Sequence, residues 1–62
     1  MKNKPFLYEM KSTVKMVESN EQGTVIGRAE FESHCNSYQV RYRAGDGRQV
    51  EAWFDEPAIE AA

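Results

Sequence analysis

The chain has 62 residues, 40% of them apolar and 29% charged, with a formal net charge of −2. A chain of about 60 residues buries only about 60% of the surface its unfolded form exposes, which predicts one marginally stable domain over residues 1–62, helped by self-association. The charge excludes a globally basic nucleic-acid binder, the single cysteine, Cys35, excludes an internal disulfide, and no apolar run reaches the roughly 20 residues of a bilayer span.

Met1 to Lys11 mixes lysine and glutamate among its apolar residues. It lacks the roughly 7–15 residue apolar core of a secretion signal, so a reducing, cytoplasmic setting and no membrane partner are expected. Phe6, Tyr8, Met10, Val14 and Met16 alternate like a strand, whereas Leu7, Met10, Val14 and Val17 fit a helical stripe. Thr13 and Val14 favour the strand, and the helix over 5–17 stays open as the alternative. Glu18 to Gly23 is a polar turn.

Three clearer strands follow. In Gly23 to Glu32, the set Val25, Gly27, Ala29 and Phe31 alternates with Ile26, Arg28, Glu30 and Glu32. Ser37 to Ala44 puts Tyr38, Val40 and Tyr42 opposite Gln39, Arg41 and Arg43, and Arg48 to Phe54 puts Val50, Ala52 and Phe54 opposite Gln49, Glu51 and Trp53. Facing residues of a hairpin must point the same way. A three-residue loop, Gly45-Asp46-Gly47, sets Tyr42 against Val50, Val40 against Ala52 and Tyr38 against Phe54, and the apolar residues meet. A two-residue loop mixes the faces throughout. The longer loop is commonly a type I turn followed by a left-handed residue, a role Gly47 fills without steric cost. The same parity argument sets Phe31 against Tyr38, Ala29 against Val40 and Gly27 against Tyr42, with Ser33 to Asn36 as the loop. A glycine facing a tyrosine implies a sharply curled meander. Asp55, Glu56 and Pro57 then read as a short helical turn, with acids and proline in its first turn. The expected fold is all-β: a small SH3-like barrel on a curled antiparallel meander, with a short C-terminal helical turn.

For chemistry, Glu30, Glu32 and His34 recur at every second position beside Cys35, and all are metal-ligand types. A solvent-facing strand of an acidic chain has the same spacing, so no metal and no cofactor are expected. His34 and Cys35 are adjacent, a spacing that rarely orients a thiolate and its base, and no catalytic residue is expected. The outer face of the meander is richer. The expected registers place Arg28 beside Arg41 beside Glu51, Ile26 beside Arg43 beside Gln49, and Glu30 beside Gln39 beside Trp53. Arginine and tryptophan are enriched at interfaces and can also contact phosphates and bases, so Arg28, Arg41, Arg43, Glu51 and Trp53 form the candidate partner-binding set. On the competing reading, the glutamates neutralise the arginines and Trp53 packs on the N-terminal segment as core. A protein partner is expected first, nucleic acid second, together with assembly into a homo-oligomer.

Gly23-Thr-Val-Ile-Gly-Arg, Tyr38-Gln-Val-Arg-Tyr and Val50-Glu-Ala-Trp-Phe resemble small SH3-like proteins of bacteriophages and other mobile elements, many without assigned function. That resemblance implies a phage-derived binding or regulatory module. Over roughly its last fifty residues the chain also resembles the plasmid-encoded type II dihydrofolate reductases, SH3-like chains that form tetramers around a shared active-site pore. Their pore strand carries Val-Gln-Ile-Tyr, and Val50-Glu51-Ala52-Trp53 stands in the similar place. The resemblance implies, as an alternative, an oligomeric enzyme whose pore takes Glu51, Ala52 and Trp53 from several copies. Three of the four residues differ, and a glutamate for a neutral amide changes both charge and hydrogen bonding.

Overall fold

Strands form where apolar and polar residues alternate most regularly, and the computed structural model, which describes residues 5–62, places five strands among them. They are β1 (Thr13–Met16), β2 (Gln22–Ala29), β3 (Ser37–Arg43), β4 (Gln49–Asp55) and β5 (Ile59–Ala61), with one 3-10 turn, Glu56–Ala58, between β4 and β5. Every pairing is antiparallel. The strands make one sheet in the order β4-β3-β2-β1-β5, so the fold is all-β. Its two edges, β4 and β5, do not pair with each other, and the sheet is not closed. No helix of the described residues is long and apolar enough to cross a membrane.

The β3–β4 hairpin has the register that parity requires, with Tyr38 opposite Phe54, Val40 opposite Ala52 and Tyr42 opposite Val50. Gly47 donates its N–H to Ala44 O at 2.9 Å, and Ala44 N–H bonds Arg48 O at 2.7 Å. With Gly47 at φ 91°, this is the expected type I turn closed by a left-handed glycine. Asp46 tightens it by accepting from Arg48 N and Arg48 Nε, and those bonds, the backbone one first, lower its pKa.

The β2–β3 register differs from the expectation by four residues from Gly23 to Val25 and by three from Gly27 to Ala29. Gly23 faces Tyr42, Val25 faces Val40, and, after a bulge between Val25 and Gly27, Gly27 faces Gln39 and Arg28 faces Tyr38. β2 ends at Ala29, opposite Ser37, so residues 30–36 form a longer link than Ser33 to Asn36. Phe31 therefore does not face Tyr38. It stacks on His34 in that link, with ring centroids 4.3 Å apart. The longer link displaces the strands by three residues, and the bulge adds the fourth and exchanges the faces of everything beyond it. The glycine under the tyrosine is thus Gly23, where an added Cβ would lie 2.6 Å from Val40 Cγ1 and 2.7 Å from Arg41 O.

The N-terminal segment forms neither the long strand nor the helix. Ser12 N–H and Oγ both bond Glu9 O and Lys11 sits at φ 71°, so a tight turn interrupts the alternation and β1 begins only at Thr13. Phe6 and Tyr8 still reach the core, meeting the Tyr38 ring edge-on at 5.9 and 5.2 Å. The expected short helical turn is the single 3-10 turn Glu56–Ala58, and the Asp55 side chain does not cap it, because its carboxylate accepts from Ser37 Oγ at 3.0 Å. β5, absent from the sequence reading, follows and pairs with β1.

The core is Val14, Met16, Val25, Tyr38, Val40 and Ile59, with Phe6, Tyr8, Tyr42 and Phe54 packed against it. Tyr38 is its largest fully buried side chain. Its hydroxyl accepts from Leu7 N–H at 2.9 Å and donates to the Glu56 carboxylate. Burial, and then the bond to Glu56, raise the Tyr38 pKa. One side chain thereby ties the N-terminal segment, β3 and the 3-10 turn together.

Candidate functional site

Because side chains alternate along a strand, the residues of β3 and β4 that do not enter the core share the opposite face. Gln39 lies opposite Trp53, Arg41 opposite Glu51 and Arg43 opposite Gln49. These three rows are those expected from the hairpin. Their β2 neighbours differ, since Thr24, not Arg28, faces Arg41, and Gly27, not Glu30, faces Gln39.

Trp53 is the prominent feature of this face, with 53% of its surface exposed. The reading in which it packs on the N-terminal segment as core is overturned, because that segment lies against Tyr38 on the other face. Gly27 lies beneath Gln39 and beside the indole: a Cβ there would come within 3.0 Å of Gln39 Oε1 and 3.2 Å of Gln39 Cβ, and at 3.7 Å would only touch Trp53 Cη2, so the bare backbone lets the glutamine lie close to the sheet. Arg41 Nε bonds Glu51 Oε2 at 3.1 Å, with both side chains about half exposed. Arg43 is exposed and has no ion pair among the described residues.

Arg28 is separated from this group. The bulge turns it to the Tyr38 face, where its guanidinium stands 4.5 Å over the Phe6 ring and Nη1 donates to Tyr8 O at 3.2 Å. It clamps the N-terminal segment. Of the five expected site residues, the structure therefore brings together Arg41, Arg43, Glu51 and Trp53, adds Gln39 and Gly27, and removes Arg28. A glycine inside a strand often marks a bulge, and Gly27 was the signal in the sequence that could have shown this. Ile26, expected beside Arg43, lies at the bulge instead.

Glu30, Glu32 and His34 lie beyond the end of β2, in the 30–36 link, so strand alternation does not align them. Among the described residues no group of three or more histidine, cysteine, aspartate or glutamate side chains is placed to hold a metal ion.

The inner face holds a concave feature that the sequence reading missed. Where the sheet stays open, a half-open groove of about 540 Å3 is lined by Met16, Val17, Tyr42, Phe54, Pro57 and Ala58, with Glu18 and Glu21 also contributing. The 17–21 turn and the 3-10 turn, joined by the bond from Val17 N–H to Ala58 O at 2.9 Å, line it together with the Tyr42–Phe54 pair, whose rings meet edge-on at 6.0 Å.

Comparison of the chain with protein-family models, curated proteins and solved structures gives no match.

Proposed function

We propose that this chain is a small binding module that contacts a protein partner through the outer face formed by Gln39, Arg41, Arg43, Glu51 and Trp53. The observation that carries this reading is the exposure of Trp53. An indole left 53% open on a regular strand, opposite Gln39 and on the same face as the Arg41–Glu51 pair, has the composition of an interface centre rather than of ordinary surface. We read the fold as SH3-like and the setting as cytoplasmic. The strand order, with a 3-10 turn between β4 and β5, supports the first, and the lone thiol of Cys35 suits a reducing compartment.

Nucleic acid fits the face less well. Glu51 offsets Arg41, Arg28 lies on the other face, and the net charge of −2 opposes phosphate binding. A reductase-like pore is also less favoured, since Glu51 and Trp53 share one face of β4 while Ala52 belongs to the other. The test is capture from host lysate by immobilised protein, with and without nuclease, using the natural chain and Trp53→Ala in parallel. A protein retained in both nuclease arms by the natural chain and lost by the variant is the expected result. Retention that disappears on nuclease treatment would transfer the function to nucleic acid.

A further inference from the structure

The two edges of the sheet are unequal. β5 offers three residues, Ile59–Ala61, whereas β4 offers seven, Gln49–Asp55, with no proline, no lysine and no bulge. Natural sheets guard long edges with such devices and with charges; β4 carries only Glu51 and Asp55, both on its outer face, so its edge remains a template for another strand. The ladder fixes which groups β4 presents. Ala44 and Arg48 form a hydrogen-bonded pair, and antiparallel pairs alternate in type. Residues 50, 52 and 54 therefore bond to β3, while the N–H and C=O groups of Gln49, Glu51, Trp53 and Asp55 point out of an edge that no strand of the described residues covers.

We propose that β4 pairs antiparallel with β4 of a second copy of this chain, about a two-fold axis through Ala52. Three two-fold registers join the outward groups over most of the strand. Centring on Glu51 opposes the two Glu51 carboxylates, and centring on Trp53 opposes Glu51 to Asp55. Like charges directly opposite one another destabilise a ladder. Centring on Ala52 opposes Glu51 to the other copy's tryptophan and Gln49 to its aspartate, and it alone pairs the whole strand. It also sets Val50 against the second phenylalanine of position 54, so the apolar inner rows of both copies run on without a break. On the outer face the row Gln39, Trp53 continues into the other copy's glutamate and Arg41 equivalents, which doubles the surface. The pairing does not depend on what that surface binds.

The test is disulfide mapping in a Cys35→Ser background. Across the axis Ala52 meets its own copy in a non-hydrogen-bonded pair, with Cα atoms about 4.5 Å apart, within disulfide reach. Position 51 is two residues out of line with its copy, beyond the roughly 7 Å limit. The variants Ala52→Cys and Glu51→Cys are equilibrated with oxidised glutathione, which is reduced as two thiols become one intermolecular disulfide. Ala52→Cys is expected to give covalent dimer at least about tenfold faster than Glu51→Cys, as that difference in reach requires. Equal rates, or faster coupling at position 51, would overturn the register. Sedimentation of the unaltered chain is expected to show a concentration-dependent dimer, and a monomer throughout the high micromolar range would overturn the pairing itself.

Discussion

Gly23→Ala is the substitution whose effect follows most directly from the packing. Its new Cβ would stand 2.6 Å from Val40 Cγ1, 2.7 Å from Arg41 O and 2.9 Å from Tyr42 Cβ. None of these can yield easily, because Val40 is fully buried, its side chain is branched at Cβ, and the Arg41 carbonyl belongs to the sheet interior. Helpful propensity is outweighed, since alanine is no better a strand residue where no room exists. Overpacking of this kind costs about 1–3 kcal/mol. In a domain of this size each kcal/mol lowers the melting temperature by about 4–8 °C. Gly45→Ala is the control, with nothing within 4 Å of its Cβ, and should stay within about 0.5 kcal/mol of the natural chain. Urea and thermal unfolding followed by circular dichroism measure both. Equal melting of the two variants would refute the close approach of β2 to β3 at Gly23, and with it the four-residue shift of register.

Gly47→Val has free space but a backbone at φ 91°, so it should lose about 1–3 kcal/mol through strain alone, and an unchanged melting curve would exclude the left-handed turn. Tyr38→Phe leaves the Leu7 N–H without its acceptor and should cost about 1–3 kcal/mol. Because the Tyr38 pKa is raised, the folded chain keeps a phenolic proton that the unfolded chain releases near pH ~10. Stability present below that pH is lost as the pH climbs through the folded value, with a slope of at most ~1.4 kcal/mol per unit. Urea unfolding at rising pH should show this loss in the natural chain and a shallower one in Tyr38→Phe, and identical slopes would remove the assignment. Arg41→Ala breaks a half-exposed pair and should change stability by no more than about 1 kcal/mol in the same assay.

What the sequence discloses here depends on how local the governing interaction is. The β3–β4 hairpin is legible because its register is fixed by a loop of three residues and by faces that agree only one way. That hairpin also carries Arg41, Arg43, Glu51 and Trp53, so most of the candidate site is legible with it. β2 against β3 is not, because the 30–36 link is longer than the turn residues announce and the bulge beside Gly27 then breaks the parity on which counting relies; the same bulge sends Arg28 to Phe6. The N-terminal aromatics are recognisable as core by their chemistry, but the turn at Glu9 to Ser12 depends on a left-handed Lys11 that no residue preference announces. β5 is three residues long and exists through its pairing with β1, a contact between distant parts of the chain. The groove beside Tyr42 and Phe54 has the same origin, since it needs both turns in place.

The central claim, that Trp53 anchors a partner, is tested most directly by measuring affinity and stability on the same preparations of Trp53→Ala and Arg43→Ala, using the partner isolated by capture. Trp53 is about half exposed, so its truncation should cost about half of the ~3–5 kcal/mol of a full core loss, and the variant should remain folded. Its affinity should fall by about 30-fold or more, corresponding to an anchor worth ~2 kcal/mol, while Arg43→Ala should weaken binding by less than about fivefold. A folded Trp53→Ala protein that binds the partner with unaltered affinity would contradict the account.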